Sequence, residues 1–167
     1  MTEFKKIRPE EITENVFDLI GKQWMLITAG NESGYNTMTA SWGGLGFLWQ
    51  HPVSFCFVRP QRNTYKFIEN ADKYTLSFFD EKYRNVLEFC GAKSGREFDK
   101  AKETGITPVF SDGTVYFEQA KLVLVCKKLF ANTFDPSNFI DKDIDRLYPA
   151  KDYHKAYIGS IQKVLSK

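Results

Sequence analysis

Apolar positions recur at helical spacing near the start of the chain, then alternate or run in short blocks from Trp24 onward, so the pattern turns from helix to strand. Pro9-Glu10-Glu11 places proline and acid in a first turn, and Ile12, Val16, Leu19 and Ile20 follow on one face, predicting a helix that ends before Gly21. Residues 24–29 read as a strand, 30–34 as a turn and 37–42 as a second strand, most simply joined as a hairpin. The glycine-rich stretch Gly43-Gly44-Leu45-Gly46 reads as a bend or as a place where a ligand approaches the backbone. A continuous apolar strand at 53–58 ends at Arg59-Pro60, and a short helix follows over about 63–70. Further strands are predicted at 73–79, 115–117, 122–130 and 154–164, with a helix at 83–90 whose Val86, Leu87 and Cys90 share a face. Segment 91–105 mixes loop and helix signals, and 135–152 reads as a long loop with one helical turn. Helices do not alternate regularly with these strands. The pattern therefore predicts a mainly β fold, an antiparallel barrel with helical inserts, and disfavours a doubly wound parallel sheet.

A chain of 167 residues has the size of one domain, and its 15 Phe, 8 Tyr and 3 Trp supply a packed interior. Flat rings in that number also suit a planar ligand or a dimer interface. The 23 Lys and Arg against 21 Asp and Glu leave a net charge of +2 with no long basic run, which argues against nucleic acid. No apolar stretch is long enough to span a bilayer, and Met-Thr-Glu-Phe-Lys-Lys lacks the apolar core of a signal peptide, so a cytoplasmic location with no membrane contact is expected. Cys56, Cys90 and Cys126 are widely separated and form no Cys-x-x-Cys pair; they read as small core residues, with no metal site.

Three segments carry candidate chemistry. Gly44-Leu45-Gly46 lacks the third glycine and the strand-turn-helix context of a dinucleotide loop. Asn36-Thr37-Met38-Thr39-Ala40-Ser41-Trp42 crowds hydroxyls and small residues into one strand, where a flat ring could lie against the backbone and hydrogen-bond to it. Arg59-Pro60-Gln61-Arg62-Asn63-Thr64-Tyr65 runs from a strand end to a helix start, and guanidiniums beside free N–H groups suit a phosphate. The competing reading there is an ordinary N-cap at Asn63 or Thr64 with solvated arginines. Of the two histidines, His51 reads as a surface residue before Pro52, and His154 either lines a pocket mouth or is structural. No serine sits with a base at nucleophile spacing.

Taken together, these pieces resemble the flavin reductase-like family of the FMN-binding split-barrel superfamily, flavoredoxins above all. Segment 36–42 looks like the family's flavin-ring strand, and Arg59-Pro60 through Thr64-Tyr65 looks like its phosphate turn. Lys93-Ser94-Gly95-Arg96 with Asp99-Lys100 resembles its Ser-Gly-Arg and Asp-Lys helix, and His154 with Tyr157-Ile158-Gly159 its closing strand. Ala101 and Asp152-Tyr153-His154 depart from the family's usual Phe and Gly-Asp-His. The resemblance implies an antiparallel Greek-key split barrel that dimerises with FMN at the subunit interface. It implies an oxidoreductase that passes electrons from NAD(P)H through FMN to free flavin or a protein acceptor. The alternative it leaves is an electron carrier or flavin-binding module without nicotinamide oxidation. By the same resemblance Met38, Thr39, Ala40, Ser41 and Trp42 hold the ring, and Arg59, Asn63, Thr64 and Tyr65 serve the phosphate end. Lys100 lies near the electron-rich edge, Ser94 belongs to the cofactor set, and Asn36 and His154 form the open, catalytic face.

Overall fold

The computed structural model describes residues 3–167. In that part of the chain the predicted segments become ten strands: β1 (Lys5–Ile7), β2 (Met25–Asn31), β3 (Gly34–Ala40), β4 (Gly43–Leu48), β5 (His51–Val58), β6 (Lys73–Phe78), β7 (Pro108–Ser111), β8 (Thr114–Phe117), β9 (Leu122–Thr133) and β10 (Lys155–Ser166). Four short helices accompany them: α1 (Val16–Asp18), α2 (Thr64–Asn70), α3 (Arg84–Ala92) and α4 (Lys100–Thr104). No helix among the described residues is long and apolar enough to cross a membrane.

The main sheet runs β3-β2-β6-β9-β10-β5-β4, with β1 pairing the end of β10, and every pairing is antiparallel. Its two terminal strands, β3 and β4, are consecutive in the chain and joined only by Ser41-Trp42. The sheet must roll until its edges meet at that link, which makes a barrel with an unpaired split between β3 and β4.

Side chains alternate across the sheet, so β9 buries both of its faces. Leu124 joins an inner cluster with Ile27, Leu76, Phe78 and Val58, while Val123 and Val125 join Leu26, Val86, Leu87, Cys90 and Phe117 outside. That accounts for the unbroken apolar run in its sequence. Inside the barrel the Tyr74 hydroxyl meets Ser54 Oγ at 2.7 Å, and Ser54 Oγ donates to Cys126 Sγ at 3.1 Å. A side chain at Gly159 would put its Cβ 2.5 Å from that phenol oxygen, so glycine is required for the close approach. All three cysteines are buried free thiols, and burial pushes Cys90 up to about 11 and Cys126 to about 12.

Three expectations differ from the structure. The first helix is broken, because the Asn15 side chain accepts from the N–H groups of Phe17 and Asp18 and so begins a new helix instead of continuing one. That helix widens into a π turn at Leu19–Gln23 and stops at Trp24, whose φ of 70° leaves the helical region. The glycine-rich stretch is strand β4: a Cβ at Gly43 would lie 2.8 Å from the Phe55 carbonyl, so the glycines let an edge strand press against β5. Segment 135–152 carries two 3-10 turns, Pro136–Asn138 and Lys142–Leu147.

Candidate functional site

A cavity of about 580 Å³ opens where the split meets the Ser41-Trp42 link, within the roughly 300–1,000 Å³ range of small-molecule sites. Met38, Thr39, Ala40, Ser41 and Trp42 form its floor, Leu87, Glu88, Gly91 and Ala92 of α3 one side, and Phe57, Arg59 and His154 the other. Trp24 and Arg62 complete the lining. A second cavity of about 680 Å³ beside the β2–β3 turn is lined by Lys66, Asp72, Lys73 and Asp112, with Phe67 its one aromatic residue. Among the described residues no group of three His, Cys, Asp or Glu side chains is placed to hold a metal ion.

The β3 side is fastened to α3 by buried and partly buried hydrogen bonds. Thr39 Oγ1 donates to the Leu87 carbonyl at 2.5 Å. The last turn of α3 leaves carbonyls without helical partners, and two cations take them: Arg62 Nη1 donates to Gly91 O at 2.9 Å and Lys100 Nζ to Cys90 O at 2.8 Å. Lys100 Nζ also donates to Thr37 O at 2.7 Å, which shows that Thr37 turns its backbone polar groups to the free edge of β3. Residues alternate along a strand, so Thr39 turns its own N–H and C=O the same way. Burial of Lys100 pushes its amine down to about 8.

The opposite side is held by aromatic rings and one ion pair. Arg59 Nη1 meets Asp152 Oδ2 at 2.8 Å, its Nη2 donates to Leu147 O, and its guanidinium lies 4.9 Å over the Tyr148 ring. Tyr148 stacks on Phe139 and places its hydroxyl 2.8 Å from His154 Nδ1. Trp42 lies 5.3 Å from the His154 ring and Phe57 6.5 Å from it. Burial first, then the Arg59 charge, push His154 down to about 4, against the pull of Asp152. At neutral pH the site therefore holds an uncharged imidazole.

Of the residues singled out in the sequence, Met38, Thr39, Ala40, Ser41, Trp42, Arg59 and His154 meet at this cavity. Asn36 does not reach the open face; it is buried behind β3, where its Nδ2 donates to Thr64 Oγ1 at 2.7 Å, a partner 28 residues away. Thr64 and Asn63 are buried beside it, with Asn63 Oδ1 lacking a partner, and Tyr65 packs against the inner core. Gly95 fits tightly over Asn36, next to Ser94, whose Oγ accepts from the Arg96 N–H. Lys100 lies behind the lining as the clamp just described. Sequence reasoning missed Trp24, Phe57, Tyr148 and the α3 residues, and gave Arg59 the weight that Arg62 shares. Arg62 stood in the same phosphate-like segment, but its distance from Gly91 is a tertiary property.

The donor set suits a flat, anionic cofactor. Small residues Ala40, Ser41, Gly91 and Ala92 leave room for a planar ring, a free strand edge offers N–H and C=O groups, and Arg62 and Arg59 supply positive charge.

A sequence model of the flavin reductase-like domain matches residues 17–160. No curated protein matches by sequence. Among solved structures, the FMN-binding protein of Thermus thermophilus with bound p-hydroxybenzaldehyde superposes with a TM-score of 0.70 at 18% identity, covering 98% of this chain and 82% of that one. Flavoredoxin from Methanosarcina acetivorans gives 0.69 at 18% identity, covering 98% and 76%. The NADH:FAD oxidoreductase of Streptomyces globisporus, solved with NAD and FAD fragments, gives 0.63 at 13% identity, covering 85% and 73%. At these identities the likeness is one of fold, and all are similar in the rolled antiparallel sheet described above. With the domain model spanning most of the sequence, the chain belongs to the flavin reductase-like domain family and has its split-barrel fold.

Proposed function

We propose that this chain is an FMN-binding oxidoreductase that takes electrons from NAD(P)H and passes them to free flavin or a protein acceptor. The observation that carries the reading is the cavity itself: a free strand edge, flat apolar walls and two guanidiniums converge where the barrel is split. When bound, FMN supplies hydride acceptance and onward electron transfer, chemistry that belongs to the cofactor. The protein's part is to bind and orient. Thr39 and Ser41 offer hydrogen bonds to a polar ring edge, Trp24, Trp42 and Phe57 keep water from its faces, and Arg62 answers the phosphate charge. Arg59 contributes field at that end while its own hydrogen bonds stay with Asp152 and Leu147.

The same reading takes the chain as a homodimer. Phe47 is 73% exposed, Trp49 53% and Phe130 46%, and the Trp49 and Phe130 rings lie 6.2 Å apart on the surface. A cluster of large exposed apolar side chains marks an interaction surface. Sedimentation of the purified protein should report twice the chain mass of 19.3 kDa; a monomer carrying a full complement of FMN would refute this part.

Anaerobic mixing of the yellow protein with NADH or NADPH tests the function. The proposal predicts bleaching of the flavin absorbance. A flavin that stays oxidised with both nicotinamides, yet accepts electrons from dithionite, would leave an electron carrier in its place.

A further inference from the structure

We propose that Tyr148 is a positioning residue that fixes His154 as the Nε2–H tautomer, so that the cavity presents one neutral N–H donor to a carbonyl or carboxamide oxygen of the bound substrate.

The Tyr148 hydroxyl lies 2.8 Å from His154 Nδ1, and both side chains are buried. Burial raises the phenol's pKa, so its proton stays on. Of the two groups the phenol O–H is the stronger donor and the bare nitrogen of a neutral imidazole the stronger acceptor, so the hydroxyl donates to Nδ1, the acceptor within reach. Nδ1 is then the unprotonated nitrogen and Nε2 carries the hydrogen.

The surroundings keep the ring in that state. Trp42 and Phe57 flank it as uncharged walls, and the charged groups that act on it are Arg59 at the end of β5 and Asp152 on the following loop. Those two are paired with each other at 2.8 Å, so their influences on the imidazole largely oppose. Arg59 has a second task in this arrangement. By stacking on Tyr148 and bonding Leu147 O and Asp152, it holds the 3-10 segment that carries the phenol. A single neutral N–H donor is matched by a carbonyl or carboxamide oxygen, the acceptor that a nicotinamide offers under the function proposed above.

The identity of the ligand rests on the function proposed above; the tautomer is a property of the chain alone and is measured without any substrate. The protein has two histidines, and exposed His51 serves as the internal reference. Long-range ¹H–¹⁵N correlation spectra of the purified protein should show His154 as a single Nε2–H tautomer from about pH 5 to pH 8. In Tyr148→Phe, which keeps the ring stacked on Phe139 and removes only the hydroxyl, the His154 nitrogens should move toward the averaged shifts of a tautomer mixture. An Nδ1–H form in the wild type, or unchanged shifts in Tyr148→Phe, would overturn the proposal. The wild-type spectrum decides by itself if the variant fails to fold. Kinetics add a second arm: His154→Gln places an amide N–H near the Nε2 position and His154→Asn near Nδ1. KM for the reduced nicotinamide should rise about tenfold in His154→Asn and roughly twofold in His154→Gln, with kcat less affected. The reverse order would also overturn it, whereas flavin that no nicotinamide bleaches, with the tautomer as expected, would sink only the proposed function.

Discussion

The two sides of the cavity face each other but are built from different physics. On the β3 side, hydroxyl, guanidinium and ammonium groups satisfy backbone carbonyls of an edge strand and a helix end. On the other, the loop after β9 is kept in place by Phe139, Tyr148 and Tyr153 rings and by the Arg59–Asp152 pair. The two Lys100 bonds are buried and costly to leave unmade, whereas a partly exposed ion pair and ring contacts tolerate small shifts. The first side is thus the more firmly fixed wall of the cavity, and the second the more adjustable one.

Substitutions should separate the two sides by size of effect. Lys100→Met removes the donor to both Thr37 O and Cys90 O, and urea unfolding should show a loss of about 2–4 kcal/mol, partly offset by relief of the buried charge. The pH dependence has a definite sign. Because the folded state holds the Lys100 amine near 8, below its ordinary 10.5, the folded chain binds fewer protons in that window. Wild type should therefore gain stability relative to Lys100→Met as pH rises from about 8 to 10.5; a gap that is flat or closes would mean the amine is not buried as described.

Next in size is the anion end. Arg62→Gln should weaken FMN by roughly 1.5–3 kcal/mol while changing riboflavin affinity little, and Arg59→Gln should do less, since Asp152 already engages that guanidinium. Equal losses for FMN and riboflavin would remove Arg62 from the phosphate. On the loop side, His154 titrates near 4 when folded against an ordinary 6.5, so stability should fall as pH drops through that window, and His154→Gln should abolish this part of the slope. The smallest effect is expected for Arg59→Gln on stability, below about 1 kcal/mol, because the pair it breaks is partly exposed. A larger loss would show the two sides to be equally rigid.

The same contrast explains what could be read from the sequence. The strand predicted at 122–130 was legible from its apolar residues, and the structure shows why they run unbroken at its start: Leu124 faces the inner cluster while Val123 and Val125 face the outer one. Met38 to Trp42 stood out because hydroxyls and small residues are unusual in a strand, and the structure puts all five at the cavity. Gly43-Gly44-Leu45-Gly46 misled, since glycine is a poor strand former whose reason for being there, the Phe55 carbonyl, belongs to the neighbouring strand. Asn36 looked available because its partner Thr64 is distant in sequence. Segment 135–152 was least readable: local propensity says little where shape comes from rings packing on one another and on Arg59.

Binding of FMN in the cavity at the barrel split is tested most directly by filling that cavity from its rim. Ala92 is exposed at the end of α3 and lines the pocket, so Ala92→Trp occupies the space without entering the core. Titrating FMN into wild type and Ala92→Trp while following quenching of flavin fluorescence should give saturable, one-per-chain binding for the wild type. The variant, unfolding at the same urea concentration, should show binding weakened at least about a hundredfold, the loss of close to 3 kcal/mol of contact. Equal affinity in the two proteins would place the flavin elsewhere and contradict the assignment.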